Sequence, residues 1–296
     1  MLREAVHGVL LALPVVSGLT GSARAQAEHS LRYAPDIPAR VNLISRSEIT
    51  MTIMPTGQEL LDTLTIEAIH LESATLFSDA AANGRFSVVL QYDSVRARMR
   101  PQGGLWQQLE VAEEETATVR AVLDERLQVL QAEFLDSPHL QASRAHMARG
   151  LNGGLLLALP VGLVTQGMPW TVDVTYPFST LRSIGQEEGV PRHGELTAHA
   201  TARIDSLASH GSDTLYYLTV RGSFVPAQFA SRLSGTTAVT TAAGSFAAMM
   251  VWSSARSVFV SSASRVVLRL DVGDSQRGET SSQVRFDVIT RSQVRM

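Results

Sequence analysis

The chain has 296 residues with no cysteine, eight histidines, and 25 basic residues against 28 acidic ones, every basic residue being arginine. The lack of cysteine excludes disulfides and an acylated lipoprotein-type anchor, so stability must come from burial, for which this length is ample. A slightly negative charge, with arginines spread along the whole chain, argues against nucleic acid and anionic surfaces as partners.

Residues 1–27 read as a secretory signal. Arg3 lies in a short polar start, an apolar run follows from Val9 to Val16, and Ala23, Ala25 and Ala27 form two overlapping A-x-A cleavage sites. Both sites stay open on sequence. The apolar run is far shorter than the roughly 20 residues of a spanning helix, and no later stretch reaches that length, so no transmembrane helix is predicted. The expected location is outside the cytoplasm, in the periplasm or the extracellular space. Without this segment the chain keeps 23 arginines against 27 carboxylates.

From residue 28 onward, period-2 alternation dominates, as half-buried strands require. Val41, Leu43, Ile49, Met51 and Ile53 fall on one face, with Asn42, Arg46, Glu48, Thr50 and Thr52 on the other. Phe86, Val88, Leu90 and Tyr92 alternate with polar residues. The phase then slips, putting Val95, Ala97 and Met99 inward and Arg96, Arg98 and Arg100 outward, which predicts a β-bulge near Asp93 and Ser94. Leu60–Phe77 is open between helix and strand, with its threonines favouring strand. Thr118–Phe134 has helical spacing at Val119, Leu123, Leu127, Leu130 and Phe134, yet reads equally as a hairpin turning at Asp124-Glu125-Arg126. The hairpin is favoured.

Ser137–Arg149 is predicted as a short helix, with Pro138 in its first turn, Leu140 and Met147 on one face and Gly150 as its stop. The most apolar run, Leu155–Pro160, then reads either as a buried connector between two halves of a sheet or as a pocket lining. Trp170, Val172, Val174, Tyr176 and Phe178 form the cleanest strand. Leu196–Leu207 and Thr214–Phe224 read as a long hairpin turning at Ser209–Asp213. Further strands are expected at 246–252, 257–261, 265–272 and 283–290, and surface loops at 185–195 and 234–244.

Motifs for chemistry are sparse. His139 and His146 share a helix face without an acidic residue at a useful offset, and no zinc spacing occurs, so no metal site is predicted. G-x-S-x-G is absent, and without lysine or cysteine neither S-x-x-K nor a thiol nucleophile exists. Ser209-His210-Gly211-Ser212-Asp213 holds triad residue types but reads as a turn. Glu113-Glu114-Glu115 reads as a solvated face rather than a cation loop. Trp170 and Trp252 lie in phase with apolar faces as core residues, leaving Trp106 aside. No catalytic residue and no cofactor is predicted.

The early β meander, the Leu-Pro segment, the strand start at Gly167-Met168-Pro169-Trp170 and the Gly-rich C-terminal β region resemble uncharacterised all-β domains of bacterial envelope proteins. Many of those are lipoproteins, and this chain departs from them in lacking the lipid-bearing cysteine. The resemblance implies fold and compartment and transfers no functional residue.

The sequence thus predicts a mostly β fold. An antiparallel curved sheet, half-barrel or barrel-like sandwich, carries one short helix, in a single domain over 28–296 with two halves joined near 135–165. The leading expectation is a non-catalytic binding or scaffold protein for an apolar small molecule or an envelope partner, with Leu155, Leu156, Leu157, Leu159 and Trp170 as candidate ligand-binding residues. A hydrolase with a spatially assembled site and an outer-membrane β-barrel are the alternatives.

Overall fold

A computed structural model describes residues 27–36, 38–55, 63–111, 113–137, 147, 155–179, 193–233, 236–274 and 280–295. Sixteen strands are seen among them: β1 (Glu28–His29), β2 (Ala39–Pro55), β3 (Leu64–Ala80), β4 (Phe86–Pro101), β5 (Gln107–Leu109), β6 (Val119–Leu123), β7 (Val129–Phe134), β8 (Leu156–Leu157), β9 (Val164–Thr165), β10 (Trp170–Ser179), β11 (His193–His210), β12 (Asp213–Ser223), β13 (Ala227–Leu233), β14 (Thr236–Ser253), β15 (Val258–Asp274) and β16 (Thr280–Arg295). A four-residue helix, α1 (Glu113–Thr116), precedes β6.

Fourteen strands form one antiparallel sheet in the order β7-β6-β4-β3-β2-β16-β15-β14-β12-β11-β10-β8, with β5 added to β4 and β13 to β14. The sheet is curved and barrel-like but not closed. Apolar side chains from strands far apart in that order, such as Leu123 of β6, Met51 of β2 and Ile204 of β11, belong to one hydrophobic cluster. Burial of that face offsets the chain entropy of ordering so long a sheet.

Several local expectations are met. At the β3–β4 pairing Ser73 opposes Ser94 and Ala74 opposes Tyr92, which makes Asp93 the extra residue of a bulge. The open segment 60–77 is a strand from Leu64. Residues 118–134 form the hairpin β6–β7, whose turn is built by Asp124: its Oδ1 accepts from the amides of Arg126 and Gln128, both at 2.9 Å. Leu127 takes φ 61° in that turn and still buries its side chain, satisfying core and turn at once.

Other expectations are corrected. The tract 234–244, expected as a surface loop, enters β14 at Thr236 and pairs along β13 and β15. The separate strands at 257–261 and 265–272 are the single strand β15. The expected helix 137–149 lies outside the described residues except for its cap and Met147, which is helical and fully buried.

One edge of β14 is shared by β12 along Ser245–Ser253 and by β13 along Thr236–Ala242. Gly244 sits where the edge changes partner, facing Leu268 of β15. The tract's small residues therefore serve close strand approach.

The β11–β12 turn contains Gly211 at φ 63° and is clamped to the β14–β15 turn. Asp213 accepts from Ser253 Oγ at 2.6 Å, Ala255 N at 2.9 Å and Ser254 Oγ at 3.1 Å. Desolvation pushes the Asp213 carboxyl up, but these hydrogen bonds and one from the Thr214 backbone outweigh it and hold its pKa below the usual value. A depressed carboxyl stabilises the fold above its unfolded pKa of about 3.9 and loses that contribution as pH falls through the folded value. Asp213→Asn is therefore expected to lower stability at pH 7 and to shrink the stability lost between pH 5 and pH 3, read from urea midpoints across that range.

Candidate functional site

The sheet has two chemically distinct faces. The outward face carries ion pairs on its central strands. Arg265 binds Asp287 through Nε at 2.9 Å and Nη2 at 2.5 Å, Arg269 reaches Asp271 at 3.0 Å, Arg46 reaches Glu48 at 3.0 Å, and Arg100 reaches Glu67 at 2.6 Å. Trp106 also lies outside, stacked against Arg98 and Arg100 with guanidinium carbons 4.7 and 4.6 Å from its ring.

The inward face is largely apolar, with single buried hydroxyls at Ser78 and Thr240 and one contiguous polar block. Strand register sets Ala97, His70, Ser47, Thr290, Ser264, Ala248, Val220, Ala202 and Trp170 side by side across nine strands, β4 to β10. The adjacent row, two residues along each strand, runs Val95, Glu72, Ser45, Ser292, Ser262, Met250, Leu218 and Ile204. On β3, β2, β16 and β15 both rows are polar, so His70, Glu72, Ser45, Ser47, Thr290, Ser292, Ser262 and Ser264 form a two-by-four island. Apolar rows bound it at both ends, one containing Leu43 and Ala74 and the other Ile49, Ala68, Val288 and Val266.

The island lies in the interior. Ser45, Glu72, Thr290, Ser262 and Ser264 are each less than a tenth exposed. Ser47 Oγ and Thr290 Oγ1 share a hydrogen bond at 2.9 Å, and Ser262 Oγ and Ser292 Oγ share one at 2.6 Å. His70 Nδ1 stands 3.3 Å from Glu72 Oε1, and its Nε2 stands 3.9 Å from Glu115 Oε2 on α1. Glu113 accepts from Ser137 Oγ at 2.7 Å. Of the triplet Glu113–Glu115, expected as a solvated face, Glu113 is exposed, while Glu115 is half-buried beside His70. Ser47 is directly opposite His70, and its hydroxyl shares a hydrogen bond with Thr290. The arrangement suits donor and acceptor recognition of a polar group, with carboxylates at one end.

Sequence reasoning missed this island, although each of its strands carries a polar pair at i, i+2 in the apolar phase. Only the strand order brings the four pairs together.

The residues predicted for ligand binding lie elsewhere. Leu155, Leu156, Leu157 and Leu159 are buried, and β8 pairs with Val174 and Thr175 of β10 at one end of the sheet. Leu159 then bonds the β6–β7 turn near the opposite end, its amide donating to Arg126 O at 2.8 Å and its carbonyl accepting from Arg126 Nε at 2.9 Å. The segment connects the two sheet ends across the opening. Trp170 packs partly buried against the core at the far end of the first row. Its Nε1 is buried with no hydrogen-bond partner among the described residues. Trp252 is buried against Phe259, with centroids 4.9 Å apart.

The N-terminal segment crosses the same opening. β1 pairs with β9, Leu31 and Tyr33 are buried, and Arg32 between them is exposed. Tyr33 N donates to Glu125 O at 2.7 Å, and its hydroxyl shares a 2.5 Å hydrogen bond with Ser78 Oγ. Burial pushes the Tyr33 phenol up to about 12, only partly countered by Ser78. The expected Ser209–Asp213 turn is confirmed as a turn, and no group of metal ligands is found among the described residues.

No family model and no curated protein matches the chain. Among solved structures, an outer membrane channel from Pseudomonas putida F1 aligns over 94% of this chain and 100% of its own, at 7% identity and a TM-score of 0.22, a likeness too weak to bear on fold or function.

Proposed function

We propose that this is an exported, non-catalytic binding protein of the bacterial envelope that holds an amphipathic small molecule against the inner face of its sheet. The observation that carries this reading is the contiguous polar island on a largely apolar interior. Buried polar groups cost stability unless paired, and folds keep them inside where function needs them. Here they would take the polar group of the ligand, while the rows of Ile49, Val288 and Phe246 would take its apolar part. Leu155–Leu159 would close the opening over it, and Trp170 Nε1 would offer a further donor.

The ion-paired outward face supports an aqueous exterior. A lipid-facing barrel would place an apolar band there. No helix among the described residues is long and apolar enough to cross a membrane.

The test is native mass spectrometry of the protein purified from its own envelope fraction, followed by organic extraction. A bound molecule with an apolar chain and a polar end is the expected result. A protein without bound mass would overturn the ligand reading and leave a scaffold for an envelope protein.

A further inference from the structure

The loop between β8 and β10 is chemically unlike the rest of the surface. Val161, Leu163 and Met168 are 77%, 60% and 58% exposed, three large apolar side chains within eight residues. Other exposed apolar residues are single, such as Leu105 and Val225, or at most a diagonal cross-strand pair, such as Tyr217 and Met249, as is ordinary for a protein surface. The sequence from Gly150 to Val172 contains no Asp, Glu, Arg or His, whereas the sheet's outward face is laced with ion pairs.

The Val164–Met168 part of the loop is anchored to the sheet and to β1. Met168 N donates to Thr165 O at 3.1 Å, Gly167 N to Ile204 O at 2.9 Å, and Gln166 Nε2 to Asp205 O at 3.1 Å, the last two at the β11 bulge where Asp205 is the unpaired residue. β9 within it pairs with β1. Backbone groups satisfied inside the protein enter a medium of low polarity at reduced cost.

We propose that this loop inserts into the surface of a neutral phospholipid bilayer, with Val161, Leu163 and Met168 entering the acyl boundary. A lipid surface fits better than a protein groove because the exposed apolar groups lie on a stretch that carries no charge to set register. Electrostatic attraction is not the driver, since the chain is net negative and the loop uncharged. The proposal stands independently of any ligand inside the sheet.

The test uses co-flotation with phosphatidylcholine/phosphatidylethanolamine vesicles at low and at 0.5 M salt. Because the chain has no cysteine, Val161→Cys also gives a single site for an environment-sensitive fluorophore. Wild-type protein is expected to float at both salt concentrations, and the fluorophore to shift to the blue on vesicle addition. The triple variant Val161→Ser, Leu163→Ser, Met168→Ser should lose about tenfold in partitioning with an unchanged thermal melt. Equal flotation of the variant would overturn the proposal. So would flotation that requires anionic lipid and disappears with salt, or absence of flotation with a salt-resistant dimer that the triple variant dissociates.

Discussion

Gly244→Ala is expected to be among the most damaging single substitutions in this chain, costing about 3 kcal/mol or more of unfolding free energy in urea. A methyl group there would overlap Val267 O of the neighbouring strand and stand 2.8 Å from Leu268 Cδ2. Strand backbones cannot give way as a flexible side chain can, and Gly244 lies where β14 changes from β13 to β12. The control is Ala243→Gly one residue away, whose cost should stay near the ~1 kcal/mol of an added strand glycine. Equal effects at both positions would contradict the close-approach argument.

Tyr33→Ala is expected to cost about 4 kcal/mol, the range found for deleting a buried aromatic ring. The ring stacks edge-on to Phe86 with centroids 5.0 Å apart, and its hydroxyl reaches Ser78. Tyr33→Phe keeps the ring and should cost only about 1 kcal/mol, the value of one buried hydrogen bond with Ser78 left unpaired. Titration separates the two contributions. The phenol is pushed to about 12 in the fold against about 10 when unfolded, so the neutral form favours folding. That contribution is fully present below pH 10 and is lost as pH rises from 10 towards 12. Tyr33→Phe should therefore show a shallower alkaline loss of stability than wild type. Identical alkaline limbs would place Tyr33 outside the core.

How far the sequence reads into this fold follows from the range of each interaction. Alternation on β2, β4, β10, β11 and β12 is local, because successive side chains point to opposite faces. The Asp93 bulge was legible for the same reason, as a phase slip within one strand. The β6–β7 turn was visible in Asp124-Glu125-Arg126, although helical spacing competed with it until tertiary pairing decided. The tract 234–244 misled because Ser, Thr, Ala and Gly there mimic a loop, while their small size serves the shared edge of β14. The polar island was illegible because it is a property of register: His70 meets Ser47, and Ser47 meets Thr290 at a sequence separation of 243. A single strand shows only two polar residues out of pattern. The buried connector reading of Leu155–Pro160 needed only an apolar run, yet its bond to Arg126 across the opening needed the curl of the whole sheet.

If the island binds the polar part of a ligand, paired replacement of its hydroxyls removes that binding. Ser47→Ala with Thr290→Val, and Ser262→Ala with Ser292→Ala, remove both partners of each hydrogen bond and leave no orphan from that pair, so stability should change by less than about 1 kcal/mol. Native mass spectra of these variants and of wild type, purified side by side from the same envelope fraction, are compared for bound mass. A ligand is expected on wild type and is expected to be lost, in large part, from both variants at unchanged urea midpoints. Full retention of the bound molecule by both variants would contradict that expectation, as would a collapse of stability showing that the hydroxyl pairs only hold the sheet together.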